Sequence, residues 1–155
     1  MVQNAEWGPH LWKILHICAS RCGKQFTPQL QRDELRAWIH LLQLTEAIMP
    51  CAICRNHYRE WRKTHSLERL TGGTEDAEQW LWSLHDEVNQ QRGTGRPSFE
   101  EVRALYATAT TGDLHESLQK LMEVLERAKL ERLIDGAFVR EWRQRLSLLR
   151  RFIMV

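Results

Sequence analysis

Apolar residues recur at helical spacing along almost the whole chain. Leu11, Trp12, Leu15, Cys18 and Ala19 line one face of a stripe that predicts a helix from Trp7 to Cys22. Gly23 is a natural stop for it. A second helix is predicted from Thr27 to Met49, with Pro28 near its start and Leu35, Trp38, Ile39, Leu42 and Ile48 on its apolar side. Pro50 breaks that pattern and is expected to begin a third helix, from Pro50 to His65. Thr71-Gly72-Gly73-Thr74 reads as a turn, and Trp80, Leu81, Leu84 and Val88 place a fourth helix over about Glu75 to Gln91. A loop from Arg92 to Pro97 follows. Ser98 with Glu101 three residues on forms a capping box for a short fifth helix reaching about Thr108.

The run Thr110-Thr111-Gly112-Asp113 marks a boundary, dividing a bundle of residues 1–110 from a helical extension of residues 111–155. In the extension, Leu114, Leu118, Leu121, Leu125 and Ala128 step by fours and threes, the seam of a helix pair. That seam must bury against the bundle or against a second subunit. Gly136 interrupts, and Phe138, Trp142, Leu149 and Ile153 lie along the last helical stretch. No strand or internal repeat is visible, so the fold class is all-α.

Composition sharpens this picture in three places. A net charge of +2 over 155 residues is too small to make nucleic acid the main partner. Seven Trp are many for this length, and an indole can wall a planar ligand as well as fill a core; Trp38, Trp61 and Trp142 are assigned to packing. Four Cys are too few for a disulfide-stapled scaffold. With no secretory leader or membrane span in the pattern, the expected setting is the cytoplasm, ahead of the mitochondrial intermembrane space.

The cysteines fall into two close pairs. Cys18 and Cys22 share the apolar side of the first helix and read as small buried hydrophobes. Cys51-Ala52-Ile53-Cys54 can close a disulfide or hold a metal ion. At the start of a helix, unpaired N–H groups and the macrodipole favour a thiolate, which makes a reactive dithiol. With Cys18 and Cys22 it could also complete a four-thiolate zinc site in a helical interaction module. Two further segments carry rings and amides that plain packing does not require. Trp12 and His16 are one turn apart on the first helix, as are His85 and Asn89 on the fourth. His57 follows Cys54 by three residues on the third.

The segments WGPHLWKILH (7–16), MPCAICRNH (49–57) and WSLHDEVN (82–89), in that order, resemble the Erv/ALR flavin-linked sulfhydryl oxidases over about residues 7–107, closest in pattern to short viral members. The resemblance implies a four-helix bundle with a short fifth helix, a homodimer, and FAD held in the mouth of the bundle. It implies that Gly8, Trp12 and His16 meet the cofactor from the first helix and His57 from the third. Trp82, His85, Val88 and Asn89 would meet it from the fourth, and Arg96 would stand near its phosphates. Cys54 would face the flavin and Cys51 the substrate, a protein dithiol or a thioredoxin-like carrier. Electrons would pass through the pair to FAD and then to dioxygen, giving hydrogen peroxide.

The chain departs from the family pattern in two places. Asp86 stands where an Asn is usual. The structural disulfide that many cellular members carry from the fourth helix is missing, with Trp82 and Glu101 near its two ends, so packing must hold that corner. The extension lies beyond the resemblance. Its cluster of Arg140, Arg143, Arg145, Arg150 and Arg151 reads first as a solvated face, and otherwise as a dimerisation or docking surface.

Overall fold

Capping side chains decide where most of the seven helices begin. The computed structural model describes residues 1–155. Helix α1 spans Asn4–Arg21, α2 Pro28–Ile48, α3 Ala52–Thr64, α4 Asp76–Arg92, α5 Phe99–Ala107, α6 Thr111–Leu130 and α7 Gly136–Ile153, with a 3₁₀ turn at Leu67–Arg69 after α3. The Thr27 hydroxyl accepts from Leu30 N at 3.1 Å, and Pro28 occupies the first turn, where its missing N–H costs nothing. The capping box of Ser98 and Glu101 starts α5 as expected.

Local chemistry that the apolar stripe does not show shifts some boundaries. Helix α1 begins at Asn4, ahead of Trp7, because Glu6 reaches back to Gln3 N at 2.7 Å. Pro50 does not begin α3. A residue before proline is held out of the helical region, so α2 ends at Ile48, Met49 is extended, the chain bends at Pro50, and Cys51 becomes the N-cap. Thr110 and Asp113 form a further capping box, which puts Gly112 inside α6 rather than in a break.

Helix α1 is the central element. It packs against α4, α5, α6 and α7, while α2 packs against α3 and, most extensively, α7. One cluster of 33 buried residues runs through both the N-terminal bundle and the last two helices. The seam of Leu114, Leu121, Leu125 and Ala128 is buried within the chain, and α6 lies along α1. Trp38, Trp61 and Trp142 are all buried. Trp142 in α7 donates to the Thr45 hydroxyl in α2 at 3.1 Å, and Thr45 donates in turn to Leu41 O at 2.7 Å. The arginines of α7 divide: Arg140, Arg143 and Arg151 are exposed, while Arg150 donates to Val155 O. At the corner without a disulfide, Trp82 stands edge-on to Phe99 and donates to Pro97 O, joining α4 to α5.

Candidate active site: a disulfide in the wall of an aromatic cavity

The turn between α2 and α3 builds the redox pair. With Cys51 as N-cap and Cys54 one turn into α3, the two sulfurs meet, and they are joined as a disulfide with Cα atoms 5.2 Å apart. Cys51 Sγ accepts from Cys54 N at 3.2 Å, taking the place an N-cap oxygen usually fills. Cys54 Sγ accepts from the Asn4 side chain at 3.4 Å.

Both cysteines open onto a cavity of about 750 Å³ lined by residues of α1, α2, α3, α4 and α5. Gly8 and Trp12 line it from α1, His57 from α3, His85, Val88 and Asn89 from α4, and Tyr106 from α5. A smaller recess near Cys22 and Trp38 has room for about one water and lies away from this chemistry. The walls of the large cavity hold a series of flat rings. Trp12 and His85 stack with centroids 4.0 Å apart and planes within 3°. His85 Nδ1 and His16 Nε2 share a hydrogen bond of 3.0 Å, and His16 stacks on Tyr106 at 4.9 Å.

Burial sets the charge of these rings. Loss of solvent, then the charge of His85, lowers His16 to about 3. Loss of solvent, then Arg92, lowers His85 to about 4 against the pull of Asp86. Both are neutral at pH 7, and one proton sits in the bond between them. His57 differs: its Nε2 is buried with no hydrogen-bond partner, and the Glu87 carboxylate lies beyond bonding reach at 3.9 Å. Such an atom is costly unless a ligand or water satisfies it.

Of the residues singled out from the sequence, Cys51, Cys54, Gly8, Trp12, His57, His85, Val88 and Asn89 come together around this space. His16, Trp82 and Arg96 are not in its lining. His16 stands behind His85 as its hydrogen-bond partner, and Trp82 packs at the α5 corner. Arg96 forms a two-bond pair with Asp86 at 3.0 and 2.8 Å. Asp86, the departure noted in the sequence, thus has a partner ten residues on.

Tyr106 and Asn4 line the cavity and were not singled out from the sequence. Tyr106 follows Phe99 and Val102 at helical spacing, a signal the sequence contains. Asn4 precedes Trp7 by one turn and carries no such signal. The four-thiolate zinc arrangement does not form: Cys51 and Cys54 pair with each other, and Cys18 and Cys22 are separate buried thiols within and just after α1. No three His, Cys, Asp or Glu side chains are placed to hold a metal ion. Burial pushes Cys18 up to about 12 and Cys22 well above its ordinary value.

Residues 9–107 match the Erv1 / Alr family. The chain is 30% identical over 94 residues to the FAD-linked sulfhydryl oxidase ERV1 of Oryza sativa subsp. japonica, covering 61% of this chain and 44% of that protein. It is 27% identical over 101 residues to the FAD-linked sulfhydryl oxidase of African swine fever virus, covering 65% and 80%. A mitochondrial FAD-linked sulfhydryl oxidase erv1 of Schizosaccharomyces pombe is 27% identical over 95 residues, covering 61% and 49%. The matched part thus spans about half or less of the rice and yeast proteins and most of the viral one. No solved structure matches the chain.

Proposed function

Because the chain belongs to the Erv1/Alr family, we propose that it is an FAD-dependent thiol oxidase that makes disulfides in protein substrates. One observation carries this reading: a redox-capable disulfide forms part of the wall of a large cavity lined by flat rings. A volume of about 750 Å³ lies within the range of cofactor sites. The residues present suit FAD. Trp12, His85 and Tyr106 offer planar faces to a planar heterocycle. A Cβ added at Gly8 would meet nothing within 4 Å, so the rim is open there. The orphaned His57 Nε2 would gain a partner in a polar ring atom or phosphate. Gly8, Trp12, His57, His85, Val88 and Asn89 are therefore the proposed holding residues, with His16 bracing His85 from behind. Trp82 and Arg96 belong to the proposed set by resemblance and would meet the outer parts of the cofactor.

When bound, FAD supplies a two-electron acceptor for the reduced dithiol and a donor to dioxygen, with hydrogen peroxide as product. The chain's own share is thiol–disulfide exchange. A substrate thiolate attacks Cys51, the Cys51–Cys54 bond breaks, and Cys54 leaves with the electron pair. The second substrate thiol then displaces Cys51 from the mixed disulfide. The proposed substrate is a protein dithiol or a thioredoxin-like carrier, the proposed assembly a homodimer, and the proposed setting the cytoplasm, or the virion if the chain is viral. Sedimentation velocity and cell fractionation test the last two.

Purified protein is expected to be yellow, to consume oxygen with dithiothreitol and to make peroxide. Cys51→Ser and Cys54→Ser should each bind FAD and lose dithiol turnover. A preparation that takes up no FAD, or either variant with full dithiol oxidation, would overturn the proposal.

A further inference from the structure

Asn4 lies outside every motif, yet its side chain reaches the redox pair. It is the first residue of α1, and its Nδ2 donates to Cys54 Sγ at 3.4 Å across 50 residues of sequence. Its Oδ1 accepts from Trp7 Nε1 at 3.2 Å. An indole N–H can only donate, so it holds the amide oxygen on its own side and turns the NH₂ to the sulfur. Trp7 is itself 6% exposed and anchored in the core. The two sulfurs therefore have different donors: a backbone N–H for Cys51 and an oriented side-chain amide for Cys54. The other titratable or charged side chains of the cavity wall are His57 and Tyr58 on α3, His85 and Arg92 on α4 and Tyr106 on α5, and none of them bonds either sulfur.

We infer that Asn4, oriented by Trp7, is a positioning residue that makes Cys54 the leaving sulfur, so that substrate thiols attack Cys51. The inference rests on the thiol-oxidase reading. As the substrate–Cys51 bond forms and the Cys51–Cys54 bond breaks, the electron pair of the broken bond stays on Cys54 Sγ. Cys51 is then neutral in a mixed disulfide, and the new negative charge lies where Nδ2 already points. A donor to the charged form lowers the pKa of its acceptor, and a leaving thiol of lower pKa departs faster. The second substrate thiol gives up its proton and attacks the substrate sulfur of the mixed disulfide. The substrate disulfide closes, and Cys51 is released with the electron pair of that bond. The substrate has lost two electrons and the Cys51/Cys54 pair has gained them.

The test uses FAD-loaded protein and the variants Asn4→Leu, Asn4→Asp and Trp7→Phe, with folding checked by circular dichroism. The pKa of each cysteine in the reduced protein is read from the pH dependence of iodoacetamide labelling, resolved by peptide mass spectrometry. Asn4→Leu should raise the Cys54 pKa by about one unit or more, because a hydrogen bond to a charged group is lost. Cys51 should stay where it is. Reduction of the disulfide by dithiothreitol should slow by about three- to tenfold. Asn4→Asp, which removes the donor and adds a like charge, should shift Cys54 further, and Trp7→Phe should shift it less. Small monothiols trapped on the protein should move from Cys51 alone to both sulfurs.

An unchanged Cys54 pKa in both Asn4 variants would overturn the inference. So would equal shifts of Cys51 and Cys54, which would mark general loosening, or a loss of FAD affinity with both thiols unmoved, which would make Asn4 a cofactor contact. Failure of the oxidase reading shows separately, as wild-type protein that oxidises no dithiol. The labelling measurement reads the Asn4 contact in either case.

Discussion

The bond from Trp142 to Thr45 ties the last helix to the cavity, and its loss should be measurable. Trp142 is 0% exposed, and its Nε1 donates to Thr45 Oγ1 at 3.1 Å, 97 residues away. The Thr45 proton is committed to Leu41 O, so its oxygen serves Trp142 as acceptor. Truncation to Ala removes a whole buried indole and should cost about 3–5 kcal/mol, a large share of a typical stability of about 5–15 kcal/mol. Trp142→Phe keeps most of the ring and should cost on the order of 1–2 kcal/mol, from the lost hydrogen bond and a small void. Thr45→Val leaves the indole N–H buried without an acceptor, for about 1–3 kcal/mol. The double variant Trp142→Phe/Thr45→Val leaves no orphaned donor. It should therefore cost less than the sum of the singles by about 1 kcal/mol. Urea unfolding followed by circular dichroism measures each value as a shift in midpoint at constant slope. Because Thr45 also lines the cavity, Trp142→Ala should weaken FAD binding as well. Strict additivity of the two single changes would refute the bond. A cost below about 1 kcal/mol for Trp142→Ala would refute the packing of α7 on α2.

Acid should destabilise the protein through its two coupled histidines. Both are held below their ordinary value of 6.5, His16 at about 3 and His85 at about 4, so the unfolded chain takes up protons first. Stability is full above about pH 6.5 and falls as pH drops toward 4, by roughly 2 kcal/mol for His16 at pH 5 and less for the part-exposed His85. Urea midpoints across this range should show the slope, and His16→Gln should flatten it. Gly23 and Gly93 both have positive φ, 81° and 67°, but a Cβ at Gly23 would sit 2.5 Å from Gly73 O, whereas Gly93 has open space. Gly93→Ala should cost about 1 kcal/mol in thermal melts and Gly23→Ala clearly more; equal costs would refute the contact. In the oxidised native protein, Ellman's reagent should find neither Cys18 nor Cys22 until denaturant is added, since both are buried. Rapid labelling under native conditions would refute their burial.

Much of the helical architecture was legible because helix formation is a local matter. A 3.6-residue period and its punctuation, such as Thr27-Pro28 or Ser98 with Glu101, act within a few residues of chain. Boundaries went astray where a second local rule outweighed the apolar stripe. Pro50 acted on the residue before it and left Cys51 as the cap, and Gln3 with Glu6 drew α1 forward to Asn4. Much of the site was legible too, since turn-spaced pairs such as His85 and Asn89 share a helix face whatever the fold. Tyr106 was readable from its spacing and overlooked, whereas Asn4 matters through a sulfur 50 residues away.

By itself, the amino-acid sequence determined an all-helical chain, a vicinal cysteine pair at a helix start, and which rings and amides share a face within each helix. Tertiary structure alone decided which of those faces meet. It stacked Trp12 on His85, paired Arg96 with Asp86, and set the Leu114–Ala128 seam inside the chain's own core. The reason is one of range. Periodicity constrains neighbours a few positions apart, while contacts such as Asn4 with Cys54 or Trp142 with Thr45 exist only once whole helices have chosen their partners by burying apolar area.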